Sequence, residues 1–175
     1  MRHELDCIVA FVKRAAVLLV ASIAVLAPAR TARAQEAIYI VRHAERLDQS
    51  RDSPLSTDGV GRARRLREML VAAGITHIFT SEFQRTIETA KPLADELHLT
   101  SQALPSADVQ LLASKLAALK PHDRALVVGH SNTVPEILRA LEIATPVTIG
   151  DAEYDNLFIV VPQKDSAPVL LRLKF

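Results

Sequence analysis

Arg42 and His43 are adjacent, Arg85 follows Ser81 at a spacing of four, and a second histidine stands in Gly129-His130-Ser131-Asn132. Two guanidinium forks and two imidazoles suit a phosphate dianion. Arginine offers planar paired donors that match phosphate oxygens, and it keeps its charge at any physiological pH. A neutral imidazole with one ring nitrogen pinned by a backbone acceptor presents a lone pair on the other, which can attack phosphorus. In such a set one histidine attacks while the second stabilises the equatorial oxygens in transit. Each feature alone is ordinary: a solvated strand end, a surface cation, a turn. Only their conjunction at one place has chemical meaning.

That conjunction depends on the elements between them. Residues 37–41 (Ala-Ile-Tyr-Ile-Val) form a short apolar, β-rich run ending at Arg42-His43, and a charged turn region closed by Ser53-Pro54 follows. Ala63, Leu66, Leu70 and Ala73 recur at helical spacing, with Arg62, Arg64, Arg65, Arg67 and Glu68 off that face and Gly74 at the place of a C-cap. Residues 76–80 read as a second strand, and Ser81 is expected to cap a helix over 82–97 that turns Thr86, Ala90, Leu93 and Leu97 inward. A third helix is expected over 107–119. The continuous apolar run 124–129 is a buried strand, and helix resumes over 134–141 with Pro135 in its first turn. Residues 156–161 and 169–175 close the chain as strands. Strands alternating with helices indicate an α/β three-layer sandwich, a mainly parallel central sheet flanked by helices. In such sheets the ligand sits outside the carboxyl ends of the strands, where His43, Ser81 and His130 all stand.

These blocks resemble the histidine phosphatase superfamily, also called phosphoglycerate mutase-like. Val41-Arg42-His43-Ala44-Glu45 is similar to its Arg-His-Gly signature, and Ser53-Pro-Leu-Ser-Thr-Asp-Gly59 to the segment that follows it. Thr80-Ser81-Glu-Phe-Gln-Arg85-Thr86-Ile-Glu-Thr89-Ala90 resembles the family's Ser-x-x-x-Arg block, and Val127-Val-Gly129-His130-Ser131 its second histidine motif. The resemblance implies that His43 is the nucleophile of a phosphohistidine intermediate, that Arg42, Arg85 and His130 line the phosphate pocket, and that neither metal nor cofactor takes part. It is greatest to small exported phosphatases and phosphohistidine phosphatases. Two departures bear on chemistry. Ala44 replaces the usual glycine, a small change if the backbone there keeps a negative φ. The general acid that protonates the leaving oxygen has three candidates, Glu45, Asp52 and Asp108, with Glu45 nearest in sequence. Without an acid, aryl phosphates and phosphoramidates are favoured, since alkoxide departure needs a proton.

Residues 1–34 differ from the rest. Arg2, Lys13 and Arg14 precede the apolar run 15–27, and Ala32-Arg33-Ala34 precedes Gln35. That is the pattern of a secretory signal peptide cleaved after Ala34, leaving one domain over 35–175. Retained, the same segment would instead anchor an enzyme of lipid phosphates at the membrane. The whole chain has 21 basic and 20 acidic residues; the first 34 carry five and two of these, so residues 35–175 carry 16 against 18, a net charge of −2. With no basic-aromatic tract there is no nucleic-acid partner to expect, and after cleavage no stable membrane span. The one cysteine, Cys7, leaves with the signal, which excludes disulfides and thiolate metal sites. Gly-x-Ser-x-Gly is absent around Ser131, which therefore reads as a hydrogen-bond donor or helix cap, and Tyr154-Asp155-Asn156 reads as a turn. The sequence thus leads to a periplasmic or secreted phosphomonoesterase acting on a small phosphorylated substrate. The competing expectation is a catalytically weak phosphate-binding protein that keeps the pocket.

Overall fold

A computed structural model describes residues 37–175. The signal-peptide expectation and Cys7 lie outside them. The elements are β1 (Ala37–Arg42), α1 (Thr57–Leu70), β2 (His77–Ser81), α2 (Gln84–Glu96), β3 (Ser101–Leu104), α3 (Val109–Ala117), β4 (Arg124–Gly129), α4 (Thr133–Ala140), β5 (Asn156–Val161) and β6 (Val169–Lys174). They form one six-stranded sheet in the order β3-β2-β4-β1-β5-β6. The first four of these are mutually parallel, while β5 and β6 run antiparallel to their neighbours.

Two apolar layers sandwich the sheet. On one face α3 and α4 cover Ile38, Ile40, Phe79, Val127 and Phe158 with Leu112, Leu116, Val134 and Ile137. On the other, Leu66 and Leu70 of α1 and Ala90 and Leu93 of α2 cover Val41, Ile78, Leu126, Val128 and Leu157. Because β4 is buried on both faces, its sequence is a continuous apolar run rather than an alternation. The mainly parallel three-layer sandwich expected from the sequence is the fold observed.

The chain passes from β1 to β2 and fills the gap between them only later, with β4. The carboxyl ends of these strands therefore converge: Arg42 stands opposite Gly129, and Thr80 opposite Val128. One backbone bond extends the ladder beyond β1, His43 N–H to Gly129 O at 2.8 Å.

Three expectations change in detail. α1 starts at Thr57, six residues before the first apolar position of the helical pattern, because Ser56 caps it and accepts from Gly59 N–H at 3.1 Å. Gly59 and Gly61 hide that first turn from propensity. α2 starts at Gln84 with Phe83 at its N-cap, so Ser81 stands two residues before the cap and accepts from Phe83 N–H at 3.3 Å. Ser-Gln-Ala-Leu at 101–104 forms an edge strand that no apolar pattern announced, since only Leu104 is buried and the pairing to β2 is made by backbone. Among the described residues, no helix is long and apolar enough to cross a membrane.

Candidate active site

Four elements deliver the site. β1 ends in Arg42 and leads into His43, which are 7% and 5% exposed; the first turn of α2 carries Arg85; β4 leads into His130, 7% exposed. With Arg46, Asp151 and the loop ahead of α4, they line a cleft of about 380 Å³. The two imidazole centroids are 5.2 Å apart and nearly perpendicular.

His43 Nδ1 lies 2.7 Å from Ala44 O. A carbonyl only accepts, so Nδ1 carries the proton and Nε2 keeps its lone pair. The loop that provides this carbonyl is itself held, because Ala44 N–H donates to Thr89 Oγ1 at 2.9 Å and the Thr89 hydroxyl donates to Arg85 O at 2.6 Å. Ala44 is fully buried and is not among the residues with positive φ, so alanine is tolerated there without strain.

His130 is set from both sides. Arg85 Nη2 lies 3.4 Å from its Nδ1, and an arginine can only donate. Nε2 therefore bears the proton and donates to Ser81 Oγ at 3.0 Å. Ser81 is in turn 2.9 Å from Thr86 Oγ1, and His130 N–H donates to Thr133 Oγ1. The serine expected to cap a helix instead orients an imidazole.

The electrostatics favour neutral rings. Burial, foremost, pushes His43 down to about 3, with His130 and the two guanidiniums adding to it against the Ala44 carbonyl. Burial also leads in lowering His130 to about 4, with Arg85 next. Like charge from Arg42 and Arg85 is a smaller cause than burial.

Both arginines have Nη1 tied to backbone carbonyls, and Arg85 Nη2 faces His130 as well. Arg42 Nη1 donates to Gly150 O and Asp151 O at 2.9 Å and to Glu153 O at 3.3 Å, and Arg85 Nη1 donates to Arg51 O at 2.8 Å. The Nε atoms of both are buried and have no acceptor among the described residues. Such donors are costly unless a ligand accepts from them.

The three carboxylates considered as general acid are occupied elsewhere. Glu45 forms a forked ion pair with Arg62, 2.6 to 2.9 Å, which holds its carboxyl below the usual range despite partial burial. Asp52 accepts from Gln84 N–H and Nε2, and Asp108 caps α3 through Leu111 N–H. Among the described residues lining the cleft, Asp151 carries the one carboxylate. Ser131 lines the cleft too, and the N-cap of α4 is Asn132. Tyr154 and Thr89 have site roles that the sequence did not announce, and Ser81, expected at the strand ends, holds His130 Nε2 there.

Comparison with known proteins bears on the fold that carries this geometry. Residues 38–107 match the histidine phosphatase superfamily (branch 1). Over that stretch the chain resembles the superfamily. It is 33% identical over 99 residues to the probable phosphoglycerate mutase GpmB of Proteus mirabilis, an alignment covering 50% of this chain and 46% of that one. GpmB of an Enterobacter strain is 40% identical over 65 residues, 33% of this chain and 30% of the relative. The chain thus spans less than half the length of these curated relatives. Among solved structures, the protein histidine phosphatase SixA complexed with tungstate superposes with a TM-score of 0.66 at 24% identity, covering 79% of this chain and 96% of SixA. A mycobacterial glucosyl-3-phosphoglycerate phosphatase in complex with inorganic phosphate gives 0.63 at 14% identity, covering 80% and 96%. Both share the histidine phosphatase fold.

Proposed function

We propose that this protein is an exported, metal-independent phosphatase that hydrolyses a small phosphate ester or phosphoramidate through a phosphohistidine on His43. The observation that carries it is the pairing of a buried imidazole, fixed with a free Nε2, with two buried guanidinium Nε donors that have no acceptor among the described residues. Nε2 attacks phosphorus, the bond to the leaving oxygen or nitrogen breaks, and the leaving atom takes a proton. Water then attacks the phosphohistidine, the P–N bond breaks, and phosphate departs with His43 restored. Arg42 and Arg85 hold the equatorial oxygens with charge-assisted bonds that strengthen in the low dielectric of the cleft, and His130 reaches one of them by turning its Nε2–H away from Ser81 Oγ. SixA, a histidine phosphatase, supports the phosphoramidate half of this range, and its tungstate supports an oxyanion in the cleft.

Glu45, Asp52 and Asp108 are engaged elsewhere, which leaves Asp151 as the one carboxylate among the described residues of the cleft and favours good leaving groups wherever it does not serve as the acid. The same observation favours a second reading, a phosphate-binding protein with little turnover. Export rests on the basic residues Arg2, Lys13 and Arg14, the apolar run 15–27 and Ala32-Arg33-Ala34. Hydrolysis of an aryl phosphate by the purified protein, with acid-quench trapping of phosphoenzyme, tests the enzyme. Turnover that chelator leaves intact, vanadate inhibits and His43→Ala abolishes is expected. Folded protein that binds phosphate and never turns over selects the second reading.

A further inference from the structure

Resting on the phosphatase activity proposed above, we infer that residues 150–154 form a strap that positions Arg42, with Tyr154 as its principal positioning residue. Its place follows from the sheet. β5 runs antiparallel to β1, and Val41 stands opposite Leu157, so the chain just ahead of β5 must pass the carboxyl end of β1. The segment that reads as a plain turn in the sequence is delivered to the catalytic arginine.

Two kinds of contact meet on one guanidinium there. Gly150 O, Asp151 O and Glu153 O all accept from Nη1. The Tyr154 ring lies under the guanidinium plane, its centroid 4.0 Å from Cζ, and 6.1 Å from the His43 ring. Carbonyls fix the fork's rotation in its plane; an aromatic face fixes the plane itself. With Nη1 consumed, Nε is left as an unpaired, buried donor in a side chain that is 93% buried. The strap thereby decides which edge of Arg42 a phosphoryl group meets.

The strap is rigid by construction. Glu153 N–H donates to Gly150 O at 3.0 Å, and Gly150 N–H donates to the Glu153 carboxylate at 2.9 Å, closing the turn from both ends. Its exit is tied down by Asp155, which holds Lys174 and accepts from Phe175 N–H. Asp151 lines the cleft directly, whereas Tyr154, nearer to the Arg42 guanidinium than to the His43 ring, acts through Arg42.

A double-mutant cycle with Arg42→Lys tests this, because lysine retains charge but has neither fork nor plane to be positioned. With aryl phosphate, Tyr154→Leu in the otherwise native chain is expected to lower kcat at least tenfold while KM moves less than threefold. Tyr154→Phe, which keeps the ring face, should stay within about threefold of native. In the Arg42→Lys background, Tyr154→Leu should cost less than threefold. Equal losses in both backgrounds overturn the proposal, as does a Tyr154→Phe variant as impaired as Tyr154→Leu. Should Tyr154→Leu fail to fold, Glu153→Ala opens the turn from an exposed side and must show the same dependence on Arg42. Tungstate affinity separates this from the catalytic proposal: if the native protein has no turnover, the cycle is read on tungstate binding, where the strap predicts at least tenfold weakening that disappears in Arg42→Lys.

Discussion

Burial of His43 and His130 has consequences for both rate and stability. With the rings lowered to about 3 and about 4, both are neutral in the free protein at any pH above 5. The kcat/KM for an aryl phosphate, corrected for the substrate's own ionisation, should therefore stay flat from pH 7 to 5, and a fall of tenfold tracking an enzyme group near 6 would contradict the geometry. Stability behaves otherwise. An imidazole whose proton affinity drops on folding is protonated first in the unfolded chain, so its contribution is fully present above 6.5 and lost as pH falls toward 4 and 3. Carboxylates held below their usual range act in the same direction, but only under about pH 4.5. The interval from pH 6 to 5 thus isolates the histidines, and urea unfolding should show a loss of about 2 kcal/mol over that unit. The variant with both His43→Asn and His130→Asn should lose most of that slope; an unchanged slope means the rings are not buried as described. Glu45 supplies the complementary test. Since its carboxylate is spent on Arg62, Glu45→Gln should leave the dependence of kcat on leaving-group basicity unchanged while lowering stability by about 1–2 kcal/mol, the cost of a partly buried charge-assisted pair.

At the scale of elements, α1 shows how one helix secures the nucleophile's loop. Its first turn passes beneath Glu45: Ser56 N–H donates to Glu45 O at 2.9 Å, and an added Cβ at Gly59 would lie 2.2 Å from that same oxygen. Gly61, two residues on in the same helix, has open space, its nearest neighbour being the mobile end of Arg65 at 3.7 Å. Helix propensity favours alanine at both positions by about 1 kcal/mol, so contacts alone decide the sign of each substitution. Gly61→Ala should stabilise by about 0.5–1 kcal/mol. Gly59→Ala should destabilise by at least about 2 kcal/mol, because backbone cannot retreat as a side chain can, and should slow turnover by shifting Ala44 O from His43 Nδ1. Thermal melts of the two variants check this directly, and two shifts of the same sign would show that α1 does not pack against the loop. The glycine that ends the Pro-Leu-Ser segment is thus there for proximity, which its spacing in the sequence cannot express.

Across the whole molecule, what was legible in the sequence divides by the kind of force involved. β4 and the apolar faces of α1 and α2 were visible because burial leaves a periodic or continuous apolar record. Arg42, His43, Arg85 and His130 were visible as side-chain types placed at strand ends and a helix start, and the structure brings all four to one cleft. β3 was not visible because backbone alone holds it, and Tyr154 was not because its role exists only once β5 lies beside β1. The fate of residues 1–34 is a further whole-molecule question, with its own observable. If the segment is a signal peptide, the protein recovered from outside the cytoplasm has an intact mass beginning at Gln35 and no thiol, since Cys7 is the chain's one cysteine. Its stability then rests on the two apolar layers with no covalent staple, so reductant should leave the unfolding midpoint unchanged. A mass that includes Met1, in protein that sediments with membranes, would instead make the apolar run an anchor and turn the search for substrate toward phosphates held at a lipid surface.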